Sequence, residues 1–209
     1  MEIINGVKRA TLESARIGGS ANHLDVDSDG ILTLEGDAQR NITLRPMIQL
    51  DEIRKVLKPD LVTFGVHTYY SLPVYSDDNE EIFMAMNVPQ RWNGTTAPRV
   101  HVHTCLTGTE TVGHKYKLQI AYSVATPSGS LASPASSFAS AETVIVEGRT
   151  SEHDCYLTEL TLSAGFSCDD TLSLRLRRLA ATEATDIGNE LGVSDTHFDF
   201  KRDKLGGDW

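Results

Sequence analysis

Hydrophobic and polar residues alternate along most of the chain after residue 60, which is the pattern of half-buried β-strands. Between Lys115 and Ala125, for example, Tyr116, Leu118 and Ile120 fall on one face of a strand and the polar residues between them fall on the other. Eight runs of strand length follow one another, at 60–70, 80–88, 99–106, 115–125, 142–148, 154–164, 171–180 and 195–202. The sequence therefore predicts an all-β protein, a jelly-roll-type β-sandwich of about eight main strands.

The first part of the chain departs from this pattern. Residues 1–45 mix polar residues with Gly and Ser, and we expect an irregular N-terminal arm with one or two strands, one of them at Ile31–Leu34. Residues 48–58 carry apolar side chains at a helical spacing and stop at Pro59, which predicts one short helix. We therefore expect two parts, an arm at 1–45 and a β-sandwich domain at 46–209.

The longest predicted connection is residues 126–141, which are rich in Ser, Ala and Pro and low in charge. Two interpretations stay open for it. It is either a flexible loop or a projecting loop that contacts a neighbouring subunit.

Composition excludes several classes of function. The chain has 19 Lys and Arg against 29 Asp and Glu, a formal charge of −10, which argues against binding to nucleic acid or to an anionic membrane surface. No apolar run reaches the length of a membrane span, and the N-terminus lacks the regions of a signal peptide, so we expect synthesis in a cytoplasm. Three cysteines without a CxxC pair predict free thiols, and nothing in the sequence predicts a cofactor.

The first candidate site lies on the run 99–106. Strand alternation puts His101 and His103 on one face with Cys105, but positions four residues apart on a strand are about 13 Å apart, so these three cannot all hold one ion. The two histidines could bind zinc with help from another strand, for which His197 and Asp199 are candidates. We prefer hydrogen-bonded histidines on a half-buried strand face, which need no metal. The cupin pattern of a metal-binding HxH motif fails here, because its Gly and Glu spacings all miss.

A second candidate is the series Asp25, Asp27 and Asp29, which opens like a calcium-binding loop. That loop needs an acid at its twelfth position, where this chain has Gly36, and it needs flanking helices. We therefore interpret the series as a tight acidic turn, with weak calcium binding as the alternative.

Aromatic residues beside predicted loops form the third candidate. Tyr69, Tyr70 and Trp92 could provide a platform for a sugar, although we prefer packing in the core or an interface for them. The sequence contains no GxSxG nucleophile motif and no phosphate-binding glycine loop. We therefore expect a protein that is not an enzyme.

Several segments resemble, in the same order, a family of structural proteins of tailed phages and phage-like environmental genomes. The segments are GILTLEGDAQRNITLRP, DNEEIFMAMNVP, APRVHVHTCL, KYKLQIAYSVA, LSLRLRRLA followed by ATEATD, and THFDFKRDKLGG. The resemblance implies a non-enzymatic virion component, such as a capsid decoration, head-fibre or tail-associated subunit. Its expected partners are copies of itself, as a trimer, and other virion proteins such as the major capsid or tail proteins.

Two alternatives accompany the virion hypothesis. One is a carbohydrate- or receptor-binding β-sandwich module of a virion, using the aromatic residues above. The other is a cupin-like metal enzyme using His101, His103 and an acid. The first hypothesis places the protein in the virion after synthesis in the host cytoplasm, with no contact to nucleic acid or membrane.

Overall fold

A computed structural model defines the fold over most of the chain. It describes residues 2–4, 7–9, 16–18, 23–26, 32–34, 40–49, 59–75, 80–90, 92–127, 129, 137–163, 165–182 and 185–202. The described residues include no helix that could span a membrane.

All of the regular structure in the described residues is β-strand. The strands are β1 Glu2–Ile4, β2 Val7–Arg9, β3 Arg16–Gly18, β4 His23–Val26, β5 Leu32–Leu34, β6 Arg40–Leu44, β7 Met47–Gln49, β8 Asp60–Phe64, β9 His67–Leu72, β10 Glu81–Asn87, β11 Arg99–Leu106, β12 Lys115–Ala125, β13 Ser137–Val144, β14 Cys155–Thr161, β15 Thr171–Leu179 and β16 Leu191–Arg202. The prediction of an all-β protein is confirmed.

Most of these strands belong to two antiparallel sheets. The first sheet has the order β13-β12-β15-β10-β7, and the second has the order β14-β11-β16-β9-β8, with β6 also paired to β16. Two smaller sheets, β1-β2 and β3-β4-β5, lie in the N-terminal part of the chain. The predicted boundary at residue 45 stays a prediction, and β6, which falls in the predicted arm, pairs with the last strand of the second sheet.

The two sheets share one hydrophobic core, as expected of a β-sandwich. Leu118 and Ile120 of β12 point into the core from the first sheet, and Val100 and Phe198 point into it from the second; each is fully buried. Burying an aliphatic or aromatic side chain of this size stabilises the fold by about 1.5–3 kcal/mol. The period-two pattern therefore identified the inward faces of these strands.

Three boundaries differ from the prediction. The run 60–70 is not one strand, because Gly65 adopts a φ of 60° and turns the chain into the hairpin of β8 and β9. Strand β13 begins at Ser137, inside the segment predicted as a loop, because its backbone pairs with β12 despite the poor strand propensity of Ser and Ala. Ile48 was predicted to lie in a helix, but it pairs with Met84 in the first sheet. The rest of the predicted helix lies outside the described residues.

Candidate functional site

Three histidines form a row on the outer face of the second sheet. The register of β11 against β16 places His101 directly opposite His197. The ring centroid of His197 lies 4.9 Å from that of His101 and 5.2 Å from that of His103. Because strand alternation sends the residues between them into the core, these half-buried imidazoles all face away from it.

Carboxylates surround this row. Nε2 of His101 lies 3.4 Å from Oε2 of Glu159 on β14 and 3.9 Å from Oδ2 of Asp199 on β16. Nδ1 of His197 lies 3.7 Å from Oδ2 of Asp195. The structure thus collects imidazoles and acids from three adjacent strands, and we call these six residues, His101, His103, Glu159, Asp195, His197 and Asp199, the histidine cluster.

Two groups of three within the cluster have the spacing of a metal site. One is His101, His197 and Asp199, and the other is His103, Asp195 and His197; in each, one ligand atom per residue lies within 4.8 Å of the others. His197 is common to both groups. Sequence analysis named four of these five residues but could not place His197 and Asp199 beside His101, which the strand register does.

Neighbouring polar groups fix the acids of the cluster. Thr43 on β6 donates a 2.6 Å hydrogen bond to Oδ1 of Asp199. Arg45 donates to both carboxylate oxygens of Asp195, at 3.2 to 3.4 Å. Burial raises the pKa of Asp195, but the hydrogen bonds and positive charge of Arg45 outweigh burial, and the pKa lies below its ordinary value. Asp195 is therefore an ionised carboxylate at neutral pH.

Cys105 does not join the histidines. A β-bulge at Ser194 of β16 shifts the register between His103 and Thr104, but β11 keeps its own alternation. Thr104 faces the core, and Cys105 shares the face of the histidines but is only 7% exposed, because it lies beside Gly192 and Tyr69. The alternation predicted for His101, His103 and Cys105 therefore holds, and Cys105 belongs to neither group of possible metal ligands among the described residues.

A groove adjoins the histidine cluster where β16 changes partner. On one edge, β16 pairs with β9 through Leu191–Val193 and with β6 through Phe198–Arg202. Among the described strands, none pairs with residues 194–197 on that edge. A cavity of about 340 Å³ opens at this break, which we call the sheet gap.

The sheet gap combines an aromatic ring with hydrogen-bonding groups. Its lining includes the half-buried Tyr70, the Arg45–Asp195 pair, the hydroxyl-bearing Ser194 and Thr68. Asp195 thus belongs to the sheet gap and to the histidine cluster at once. The sequence pattern did not identify Arg45, Asp195 or Ser194 as site residues. Of these, only Asp195 could have been found, because alternation places it on the same strand face as His197 and Asp199.

The three aromatic candidates are not brought together. Tyr69 and Tyr70 both line the sheet gap, but Tyr69 is 6% exposed, whereas Tyr70 is half-buried and packs partly against the core. Trp92 is 4% exposed, packs against Phe166 and Phe200, and donates its indole N–H to the carbonyl of Thr96. Its ring is part of the core, not of a surface platform.

The acidic series near the N-terminus is described only at its start. Oδ2 of Asp25, on β4, lies 2.9 Å from Nε2 of His23. Asp27 and Asp29 lie outside the described residues, so calcium binding there stays an alternative that the structure leaves untested.

Comparison with known proteins finds only distant similarity, to solved structures. No protein-family model and no curated protein matches the chain. The K3 cleaved adhesin domain of Lys-gingipain from Porphyromonas gingivalis w83 is 11% identical over 76% of this chain and 90% of its own, with a TM-score of 0.37. TmCBM61, solved with β-1,4-galactotriose, is 11% identical over 78% of this chain and 88% of its own, with a TM-score of 0.28.

Dimeric latent PorU from Porphyromonas gingivalis is also similar, at 7% identity over 79% of this chain, with a TM-score of 0.37. The similar segment is only 13% of the PorU chain. None of these three structures is described as a phage protein. At such low identities and TM-scores they carry no argument about the function of this chain.

Proposed function

We propose that the chain is a non-catalytic β-sandwich module that binds a carbohydrate in the sheet gap. The observation that carries this proposal is the joint presence of Tyr70 and the Arg45–Asp195 pair in one concave site of about 340 Å³. That volume falls in the range of small-molecule sites.

A sugar ring matches this combination of groups. It has an apolar C–H face, which packs on an aromatic ring, and a rim of hydroxyl groups, which both donate and accept hydrogen bonds. Arg45 offers N–H donors and Asp195 offers carboxylate acceptors, held to one another and so fixed in orientation. Arg45 is largely exposed, so its remaining N–H groups are accessible to a ligand.

We also propose that the sandwich is a jelly roll, and the strand order supports this. When the eight longest strands, β9 to β16, are numbered 1 to 8, the second sheet has the order 6-3-8-1 and the first has 5-4-7-2. This interleaving of two Greek keys is the arrangement of jelly rolls, an architecture of lectin and viral capsid domains.

A glycan array with the purified chain, followed by calorimetric titration of any hit, tests the proposal. Tyr70→Ala and Arg45→Ala should each weaken binding of the hit at least about tenfold, through loss of ring contact or of charged donors. Tyr75→Ala and Arg149→Ala are matched controls, because both residues are exposed and neither lines the sheet gap. An array without hits, or a hit that both groove variants bind as well as the controls do, would contradict the proposal.

A second candidate is the virion structural subunit that assembles as a trimer with copies of itself and with capsid or tail proteins. The observation that favours it is an apolar surface at one edge of the second sheet, where Leu61 is 58%, Phe64 52% and Val66 93% exposed. Apolar residues on an edge strand and its hairpin favour association. Synthesis in the host cytoplasm and incorporation into the virion belong to this same candidate.

Light scattering during size-exclusion chromatography tests the second candidate. The chain should elute as a trimer, and Leu61→Glu combined with Val66→Glu should shift it to the monomer. Val112→Glu is the matched control, since Val112 is similarly exposed but belongs to the connection between β11 and β12, not to β8, β9 or their hairpin. A monomer at every concentration that also fails to bind phage particles would exclude the candidate.

A further inference from the structure

We propose that His101, His197 and Asp199 form a binding site for a divalent transition metal, zinc above all, on the outer face of the second sheet. The site is separate from carbohydrate binding and does not depend on it. Its three residues come from two neighbouring strands, β11 and β16, in a register that the backbone pairing fixes.

The first argument is the spacing of the ligand atoms. In a tetrahedral zinc site with bonds of about 2.0–2.1 Å, neighbouring ligand atoms lie about 3.3 Å apart. Nε2 of His101 lies 3.9 Å from Oδ2 of Asp199, so a rotation that moves these atoms by roughly 0.6 Å reaches that value. The ligand atom of His197 lies within 4.8 Å of both, so its imidazole must also move inward, by up to about 1.5 Å, to reach that spacing.

One ring nitrogen of His101 lacks a hydrogen-bond partner. Nε2 of His101 is buried from solvent and makes no hydrogen bond, although it faces two carboxylates. A buried polar atom without a partner destabilises the fold, because it has lost its hydrogen bonds to water and gained none. A metal ion between His101 and Asp199 would satisfy this nitrogen and would offset the negative charge of Asp199 and Glu159.

The carboxylate of Asp199 is already oriented by Thr43. The hydroxyl of Thr43 holds Oδ1 of Asp199, which leaves Oδ2 facing His101. Such outer hydrogen bonds are typical of metal sites, where they fix the direction of a ligand. Glu159, which Arg99 contacts at 3.4 Å, stands near enough to complete the coordination, or water can do so.

The donor set selects the class of metal. Two imidazoles and one carboxylate favour zinc and its transition-metal neighbours, whereas calcium and magnesium prefer oxygen ligands throughout. The second group, His103, Asp195 and His197, competes less well because Arg45 already binds both oxygens of Asp195. We therefore assign the ion to the group that contains Asp199.

Calorimetric titration of the tag-free, chelator-treated chain with zinc chloride tests the assignment. We expect one ion per chain, no binding in His197→Ala, and at least about tenfold weaker binding in Asp199→Asn. Asp195→Asn should weaken binding less than Asp199→Asn does, because Asp195 contacts His197 without being a ligand in this assignment. His67→Ala and Asp60→Asn are matched controls, because both residues are exposed and lie outside the histidine cluster.

Two further measurements keep the test decisive if a histidine variant does not fold. Thr43→Val should weaken zinc binding about 10- to 100-fold without removing a ligand. In the unmodified chain, zinc should shift the ring nitrogen signals of His101 and His197 in an NMR spectrum and leave that of His67 in place. Absence of saturable binding, unchanged binding in His197→Ala, or loss in Asp195→Asn with retention in Asp199→Asn would overturn the assignment.

Discussion

The hydroxyl of Tyr116 lies 2.7 Å from the hydroxyl of Thr104 across the core of the sandwich. Thr104 belongs to the second sheet and Tyr116 to the first, so this hydrogen bond joins the two layers. Thr158 donates to the same phenol oxygen at 3.1 Å and lies 2.6 Å from the hydroxyl of Thr143. Four hydroxyl groups thus form one polar network between the two sheets.

Tyr116→Phe should lower the free energy of unfolding by about 1–3 kcal/mol, because it leaves buried threonine hydroxyls with fewer partners. Urea denaturation followed by circular dichroism measures the change. Tyr75→Phe is the control, since Tyr75 is 43% exposed and its hydroxyl can bond to water. Equal stability of the two variants would show that the network does not stabilise the sandwich.

Gly192→Ala should destabilise the second sheet through overlap of side chains. A Cβ atom at position 192 would lie 2.7 Å from Cδ2 of Tyr69 and closer still to Sγ of Cys105. Overpacking of this kind costs about 1–3 kcal/mol. Gly188→Ala is the matched control because its Cβ would meet nothing within 4 Å. If both variants have the same midpoint of thermal unfolding, the close packing around Gly192 does not prevent a Cβ atom from being accommodated there.

Arg178→Met should unfold more readily than any neighbouring arginine variant. The Arg178 guanidinium is buried and donates to the carbonyls of Ile187 and Asn189 and to Oδ1 of Asp186, holding the segment before β16. Asp186 is 25% exposed and can be partly solvated, so the main loss is at the buried carbonyls left without a donor, at about 1–3 kcal/mol for each group.

Arg177→Met on the same strand is the control for this change. Arg177 is more accessible than Arg178 and contacts Gln119 and Glu81. We therefore expect Arg177→Met to lower the free energy of unfolding by about 1 kcal/mol or less. Urea denaturation of both variants measures the difference. If Arg178→Met lowered the free energy of unfolding by less than Arg177→Met does, Arg178 would not be the residue that holds the segment before β16.

Much of the fold could be predicted from the sequence because a strand with one buried face carries its own signal. The predicted runs 99–106 and 115–125 match β11 and β12 at both ends. The signal failed where pairing, not side-chain character, decides the structure. Strand β13 consists largely of Ser and Ala at its start, and only its partner β12 makes it a strand.

The sequence predicts which residues of the candidate site share a face of one strand, but not which strands lie side by side. Alternation alone put His101 and His103 on one face. The distance from His101 to His197 depends on which strands are neighbours and in what register, and no local pattern encodes a pairing between positions so far apart in the chain. The contact between Glu159 and His101 could not be predicted for the same reason, since Glu159 lies on the neighbouring strand β14.

The two opposed cysteines of β11 and β14 should differ in reactivity. Burial raises the pKa of the Cys105 thiol from 9.0 to about 11, with a contribution from Cys155, whereas Cys155 itself is exposed. Since the thiolate is the reactive form, iodoacetamide at pH 8 should modify Cys155 rapidly and Cys105 only after unfolding. Mass spectrometry of proteolytic fragments identifies the modified residue.

The same pKa predicts how stability depends on alkaline pH. The folded chain holds the Cys105 proton more tightly than the unfolded chain does, so the stabilisation from this thiol is complete below pH 9.0 and is lost as the pH rises toward about 11. Cys105→Ala should show a shallower loss of stability over this range than the original chain, measured by urea denaturation at successive pH values. Cys155→Ala is the control and should largely keep the original slope. Identical slopes for the original chain and Cys105→Ala, or rapid labelling of Cys105 in the folded protein, would show that the thiol is not held in its neutral form.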